Sequence, residues 1–185
     1  MKRTFIGIKI KLDPVLASTY QNVKTELADE RINWVPDENL HVTLHFLGEA
    51  LDEQIQKVVE LIRLLAKGTP AFSFWLEGLA YFKRGSMPSA LFFNLNETDD
   101  LVALAMKLKS GLNELDFPSG QTFKPHLTLG RVKSLRDKNK FYELMEQFQK
   151  TAGQCVTVTE LILFESILKP SGPVYKPIEI IKLNN

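Results

Sequence analysis

Two of the three histidines in this 185-residue chain stand in the same tetrapeptide pattern, His41-Val42-Thr43-Leu44 and His126-Leu127-Thr128-Leu129. On an extended strand, residues two apart share a face. Each pattern therefore sets an imidazole beside a hydroxyl, while Val42, Leu44, Leu127 and Leu129 anchor the strand in a core. An imidazole titrates near ~6.5, so of two brought together one can be neutral and the other protonated. Such a pair can take a proton from a nucleophile and give one to a leaving oxygen. Threonine hydroxyls can donate hydrogen bonds to non-bridging oxygens on which negative charge builds. The pattern fits attack on a phosphodiester flanked from both sides, with no metal and no covalent intermediate. A strained cyclic phosphate suits it well, because water attack then needs only an in-line base and an acid. Spacing alone does not say which histidine takes which role.

Other chemistries fit less well. His41 and His45 are four apart, which on a helix would suggest a zinc pair, but Leu40 to Leu47 is strand-like and no glutamate stands directly after His41 in the metalloprotease manner. No metal and no cofactor is therefore expected. By alternation His45 shares the face of His41 and Thr43 and reads as a rim residue. No phosphate-cradling glycine loop is present, and no serine stands in a nucleophile elbow. Cys155 is the single cysteine, so a disulfide framework within one chain is excluded. Its strand-like surroundings mark it as a small buried core residue.

The elements around the motifs follow from periodicity and punctuation. Thr4 to Lys11 alternates as a strand, and Asp13-Pro14 opens a helix to about Ala28. Residues 34–39 form a loop in which Trp34 packs against Pro36, and Leu40 to Leu47 is a strand ending at Gly48. Helices are expected over Leu51 to Ala66, over Thr98 to Glu114 and from Ser134 to about Lys150. Further strands run over Phe72 to Tyr81, Ala90 to Leu95, Phe123 to Val132, Cys155 to Leu168 and Tyr175 to Leu183. Trp34…Pro36…His41…Gly48 then helix parallels Phe117-Pro118…His126…Gly130 then helix, a weak internal repeat. The expectation is one α+β domain over residues 1–185: a bilobal pseudo-twofold with two antiparallel sheets facing a central cleft and helices outside.

A hydrophobic content of 44% with 24% charged residues excludes disorder. A net charge of +1 excludes a global field for polyanions. Anion binding must then be local, and Lys124, Arg131, Lys133, Arg136, Lys138 and Lys140 cluster near the second motif. They read equally as a solvated surface or as contacts to an RNA backbone. Charged or polar residues interrupt every apolar run, so no membrane span and a cytoplasmic location are expected.

The extended motifs, Trp34-Val35-Pro36…Asn39-Leu40-His41-Val42-Thr43-Leu44-His45-Phe46-Leu47-Gly48 and Phe123-Lys124-Pro125-His126-Leu127-Thr128-Leu129-Gly130-Arg131, resemble the two-histidine phosphoesterases. Within that family they are similar to the bacterial and archaeal RNA 2′,3′-cyclic phosphodiesterases, also called 2′-5′ RNA ligases. The resemblance implies the bilobal fold with the motifs facing across a groove. It implies His41 as proton donor, His126 as proton acceptor, and Thr43 and Thr128 as holders of the phosphate oxygens. The implied reaction opens a 2′,3′-cyclic phosphate on an RNA or nucleotide end, tRNA-derived ends included, to a 2′-phosphomonoester. Joining of tRNA halves by a 2′-5′ bond and low-turnover binding of RNA ends are the alternatives. No membrane and no obligate protein partner is implied, and a monomer is the default. Arg131 is the implied phosphate clamp, although strict alternation puts it on the face opposite His126. A bulge at Gly130 would re-aim it. Phe46 stands at the matching offset from His41, either as a stacking face for a nucleobase or as a core aromatic.

Overall fold

A computed structural model describes residues 1–118, 122–170 and 172–184. Strand β1 (Lys2–Lys9) leads to helix α1 (Pro14–Glu26), whose start is fixed by Asp13 accepting a hydrogen bond from the Leu16 amide at 2.8 Å, with proline at the first turn. A short strand β2 (Arg31–Trp34) and a 3₁₀ turn at Asp37–Asn39 precede the first motif strand, β3 (His41–Ala50). Helix α2 (Asp52–Lys67), the hairpin β4 (Phe72–Arg84) and β5 (Met87–Asn96), and helix α3 (Asp99–Glu114) follow. The second motif strand is β6 (His126–Ser134), followed by α4 (Lys138–Gln147), β7 (Gln154–Val158), β8 (Glu160–Lys169) and β9 (Gly172–Lys182).

The strands form two fully antiparallel sheets, ordered β3-β1-β8-β9 and β2-β6-β5-β4-β7. Each motif strand lies beside the strand that precedes it by one helix: β1-α1-β3 in one lobe, β5-α3-β6 in the other. A second helix follows each motif strand. This repetition is the pseudo-twofold expected from the repeat, in an α+β fold of two sheets about a cleft with helices outside. One large core joins the helices to the sheets, among them Leu16 and Val23 of α1, Ile55 and Ile62 of α2, Leu104 and Leu108 of α3 and Phe141 of α4, all buried. A smaller cluster of Phe5, Ile162 and Phe164, with Tyr175 against it, is separate from that core. Residues of β1 alternate between the two: Ile6 and Ile8 enter the main core, while Phe5 enters the small aromatic cluster.

Four expectations need correction. The run from Cys155 to Leu168 is two strands, not one. β7 pairs with β4 in one sheet and β8 with β1 in the other, with the crossover at Thr159. No glycine or proline marks the break. Cys155 is exposed, because β7 is an edge strand and turns that side chain outward. The last helix begins at Lys138 rather than Ser134: Ser134 still belongs to β6, and Asp137 supplies the cap by accepting from the Lys140 amide at 2.9 Å. Finally, Trp34, expected in the loop, is the last residue of β2, whose four residues pair with β6 beside the second motif.

Close approach of backbone to backbone fixes α4 against its sheet. The Leu79 amide donates to the Phe148 carbonyl at 2.9 Å, and a Cβ on neighbouring Gly78 would stand 1.8 Å from the Gln149 carbonyl oxygen. Gly78→Ala must displace the end of α4, so thermal denaturation should show a loss of about 2–4 kcal/mol of stability. An unchanged melting temperature would contradict this packing.

Candidate active site

Both motif histidines are held in the same way by their own backbone. His41 Nδ1 lies 2.6 Å from the Asn39 carbonyl, and His126 Nδ1 lies 2.7 Å from the Lys124 carbonyl. A carbonyl only accepts, so each Nδ1 carries the hydrogen, and in the neutral ring Nε2 is the bare nitrogen. The anchor residue is two positions upstream in each case. Asn39 is itself buried and tied by its side-chain amide to the Pro173 carbonyl at 2.8 Å, which links the first motif to the start of β9.

Aromatic rings wall each imidazole. Phe5, Tyr175 and Phe164 stand 4.8, 5.0 and 6.3 Å from the His41 ring centroid. On the other lobe Phe82 and Phe92 meet His126 edge-on at 4.9 and 5.3 Å. These walls exclude water from one side of each ring, and burial is the main force holding both histidines below the usual 6.5. The backbone hydrogen bonds oppose that shift, while the Arg131 cation adds to it on both rings and the His126 charge adds to it on His41. The two imidazoles and the guanidinium thus act on one another across the lobes. Thr43 and Thr128 are half-buried on the faces of their histidines, paired in register with Gly7 and Phe92. Val42, Leu44, Leu127 and Leu129 are buried in the core as the alternation requires.

Beyond the threonines the alternation fails in both strands, at the same place. In β3 the partners step from Gly7↔Thr43 to Ile6↔His45, leaving Leu44 extra. In β6 they step from Phe92↔Thr128 to Leu91↔Gly130, leaving Leu129 extra. Each bulge turns the following residues over. His45 consequently leaves the motif face. It is buried, and its Nε2–H donates to the Phe117 carbonyl at 3.2 Å, so it is no rim residue. Phe46 is brought out beside Phe5, 5.9 Å away, and is 59% exposed, which disposes of its reading as a core aromatic. Arg131 is likewise exposed, and its charge reaches His41, His126 and Tyr175. Strict alternation would have put it on the far side.

Gly130 occupies the bulge position that His45 fills in the other lobe, so Gly130 and Gly48 are not equivalent. A Cβ there would meet Ile32, Leu91 and Trp34 at 2.8–3.1 Å. Trp34 itself packs edge-on against the Tyr20 ring at 5.9 Å and forms part of this wall, not of the cleft. Of the side-chain charges in the basic run, that of Arg131 acts on the histidines, while Lys124 holds His126 through its backbone carbonyl. Lys140 pairs with Glu26 at 3.1 Å, and the Glu30 carboxylate takes the Arg136 and Asp137 amides at 2.6 and 2.9 Å. Phe5, Phe82, Phe92 and Tyr175 escaped sequence reasoning because they reach the site through sheet pairing. No local spacing announces that.

A family model described as the 2′-5′ RNA ligase superfamily matches residues 12–168. An RNA 2′,3′-cyclic phosphodiesterase of Thermotoga maritima is 33% identical over 94% of this chain and 91% of its own length. One of Methanothermobacter thermautotrophicus is 27% identical over 98% of each. Among solved structures, TT0787 of Thermus thermophilus superposes with a TM-score of 0.77 at 28% identity, covering 98% of this chain and 97% of that one. Escherichia coli LigT complexed with 3′-AMP shares the fold, with a TM-score of 0.75 at 22% identity over 100% and 99% of the two chains. The chain belongs to the 2′-5′ RNA ligase superfamily of two-histidine phosphoesterases.

The electrostatic arrangement has a direct check. Removing the cation in Arg131→Ala should raise the titration points of both His41 and His126 toward 6.5, read from ring proton shifts in NMR. Unchanged values would mean that Arg131 does not face the histidines.

Proposed function

We propose that the protein hydrolyses RNA 2′,3′-cyclic phosphate ends to 2′-phosphomonoesters, by metal-independent acid–base catalysis between His41 and His126. The observation that carries this reading is the matched Nδ1 anchoring, which leaves Nε2 of each ring as the nitrogen available to a reactant. Water attacks phosphorus in line while His126 Nε2 takes its proton. The P–O3′ bond breaks, and Nε2–H of His41 gives its proton to O3′. One proton enters and one leaves, and exchange with solvent restores the starting forms. The choice of donor and acceptor follows the family resemblance. Thr43 and Thr128 donate to the non-bridging oxygens, Arg131 clamps the same phosphate bidentately, and Phe46 offers an exposed ring to a base. Arg131 supplies a fixed positive charge beside the histidines, which suits a phosphate anion without a metal ion. The names of the Thermotoga and Methanothermobacter relatives support the substrate class.

Burial and Arg131 disfavour the charged form of both histidines in the free protein and hold them below the usual 6.5. The bound phosphate anion supplies the opposing charge and raises the affinity of His41 for a proton. The limb of kcat/KM that falls with rising pH reports free His41 and should lie below 6.5. The matching limb of kcat should lie at higher pH. Coincident limbs would remove the substrate-assisted protonation.

His41→Ala and His126→Ala should each lower turnover of a nucleoside 2′,3′-cyclic phosphate by roughly 10²–10⁴-fold, with the fold intact by circular dichroism and no effect of chelators on the wild type. Wild-type rates in either variant would sink the acid–base reading. A 3′-phosphate product would reverse the assignment of the leaving oxygen.

A further inference from the structure

We infer that Tyr20 is a positioning residue for Arg131, acting through the Leu129 carbonyl to hold the bulge that turns the guanidinium into the cleft. This rests on Arg131 being the phosphate clamp. Tyr20 projects from α1, on the outside of the fold, and its side chain is wholly buried. Its hydroxyl shares one proton between the Val35 carbonyl at 2.6 Å and the Leu129 carbonyl at 2.9 Å. Leu129 is the extra residue of the β6 bulge, and the same carbonyl accepts the Val35 amide at 2.8 Å.

A bulge is one register slip away from a regular strand, and that slip would send Arg131 to the opposite face. Two things oppose it here. The Leu129 carbonyl is held by two donors on the β2 side, and a hydrogen bond in so dry a setting is strong. The space over Gly130 is filled by Ile32, Leu91 and Trp34, and Trp34 also leans on the Tyr20 ring. Burial pushes the Tyr20 phenol well above its ordinary range, so it remains a neutral donor wherever the histidines can work. The other lobe solves the same problem differently, with the His45 side chain at the bulge itself bound to the Phe117 carbonyl. Tyr20 touches no reactant in this account, and its effect should appear only through Arg131.

A double-mutant cycle isolates that path. The wild type, Tyr20→Phe, Arg131→Ala and the double variant are compared on a nucleoside 2′,3′-cyclic phosphate, with inorganic phosphate as competing inhibitor. Tyr20→Phe should raise KM and the phosphate inhibition constant roughly three- to tenfold, the worth of one hydrogen bond, and leave kcat within about twofold. In the Arg131→Ala background the same substitution should change neither. Equal factors in both backgrounds would make the hydroxyl merely structural and overturn the proposal. No effect of Arg131→Ala alone on KM or phosphate inhibition would instead overturn the clamp reading. Trp34→Phe, which loosens the same wall, repeats the test should Tyr20→Phe not fold, and equal factors there would overturn the proposal likewise.

Discussion

The cleft depends on one interruption of strand alternation in each lobe. An unbroken strand gives an imidazole and a hydroxyl on one face and nothing more, because the fifth residue from the histidine falls on the other side. With Leu44 and Leu129 each slipped out of register, that fifth residue returns to the reactive face. The residues delivered differ in kind: an exposed aromatic ring at Phe46 and a guanidinium at Arg131. The pseudo-twofold thus repeats the histidine–threonine pair and breaks at the flanking position. A cleft so built has a direction, with an exposed aromatic ring on the His41 side and an exposed guanidinium on the His126 side.

The histidines themselves are set by a shorter-range device. Each ring is tethered to a carbonyl two residues upstream, so tautomer and orientation come from the same local backbone that makes the strand. Aromatic walls then lower the proton affinity of both rings, and the guanidinium lowers it further. Both shifts favour the neutral, proton-accepting form of each ring in the empty site. On the proposed reading a phosphate anion converts one base into an acid, so binding and activation are a single electrostatic event. On this reading the low proton affinity of His41 favours transfer to the leaving oxygen once the anion has charged it.

The sequence carried much of this in local form. The doubled motif, the buried alternation partners, the Asp13-Pro14 helix start and the repeat of strand, helix and motif strand were all legible, because each depends on residues a few positions apart. What stayed hidden is what pairing decides. Nothing at Leu44 or Leu129 marks a bulge, and only Gly130 hinted at one, so His45 was assigned to the wrong face. The break at Thr159 carries no glycine or proline, because the chain changes sheets without a turn. Phe82 and Tyr175 come from hairpins far from either motif and meet the histidines only once the sheets have formed.

Nitrogen-15 NMR of the two histidines, in the free protein and with a nucleoside 2′-monophosphate bound, tests the arrangement most directly. Near neutral pH the account predicts both free rings protonated at Nδ1 and bare at Nε2. With the anion bound, one ring should gain a proton at Nε2 while keeping that on Nδ1. A free ring found with its hydrogen on Nε2 would contradict the account, as would two rings that stay neutral around a bound phosphate.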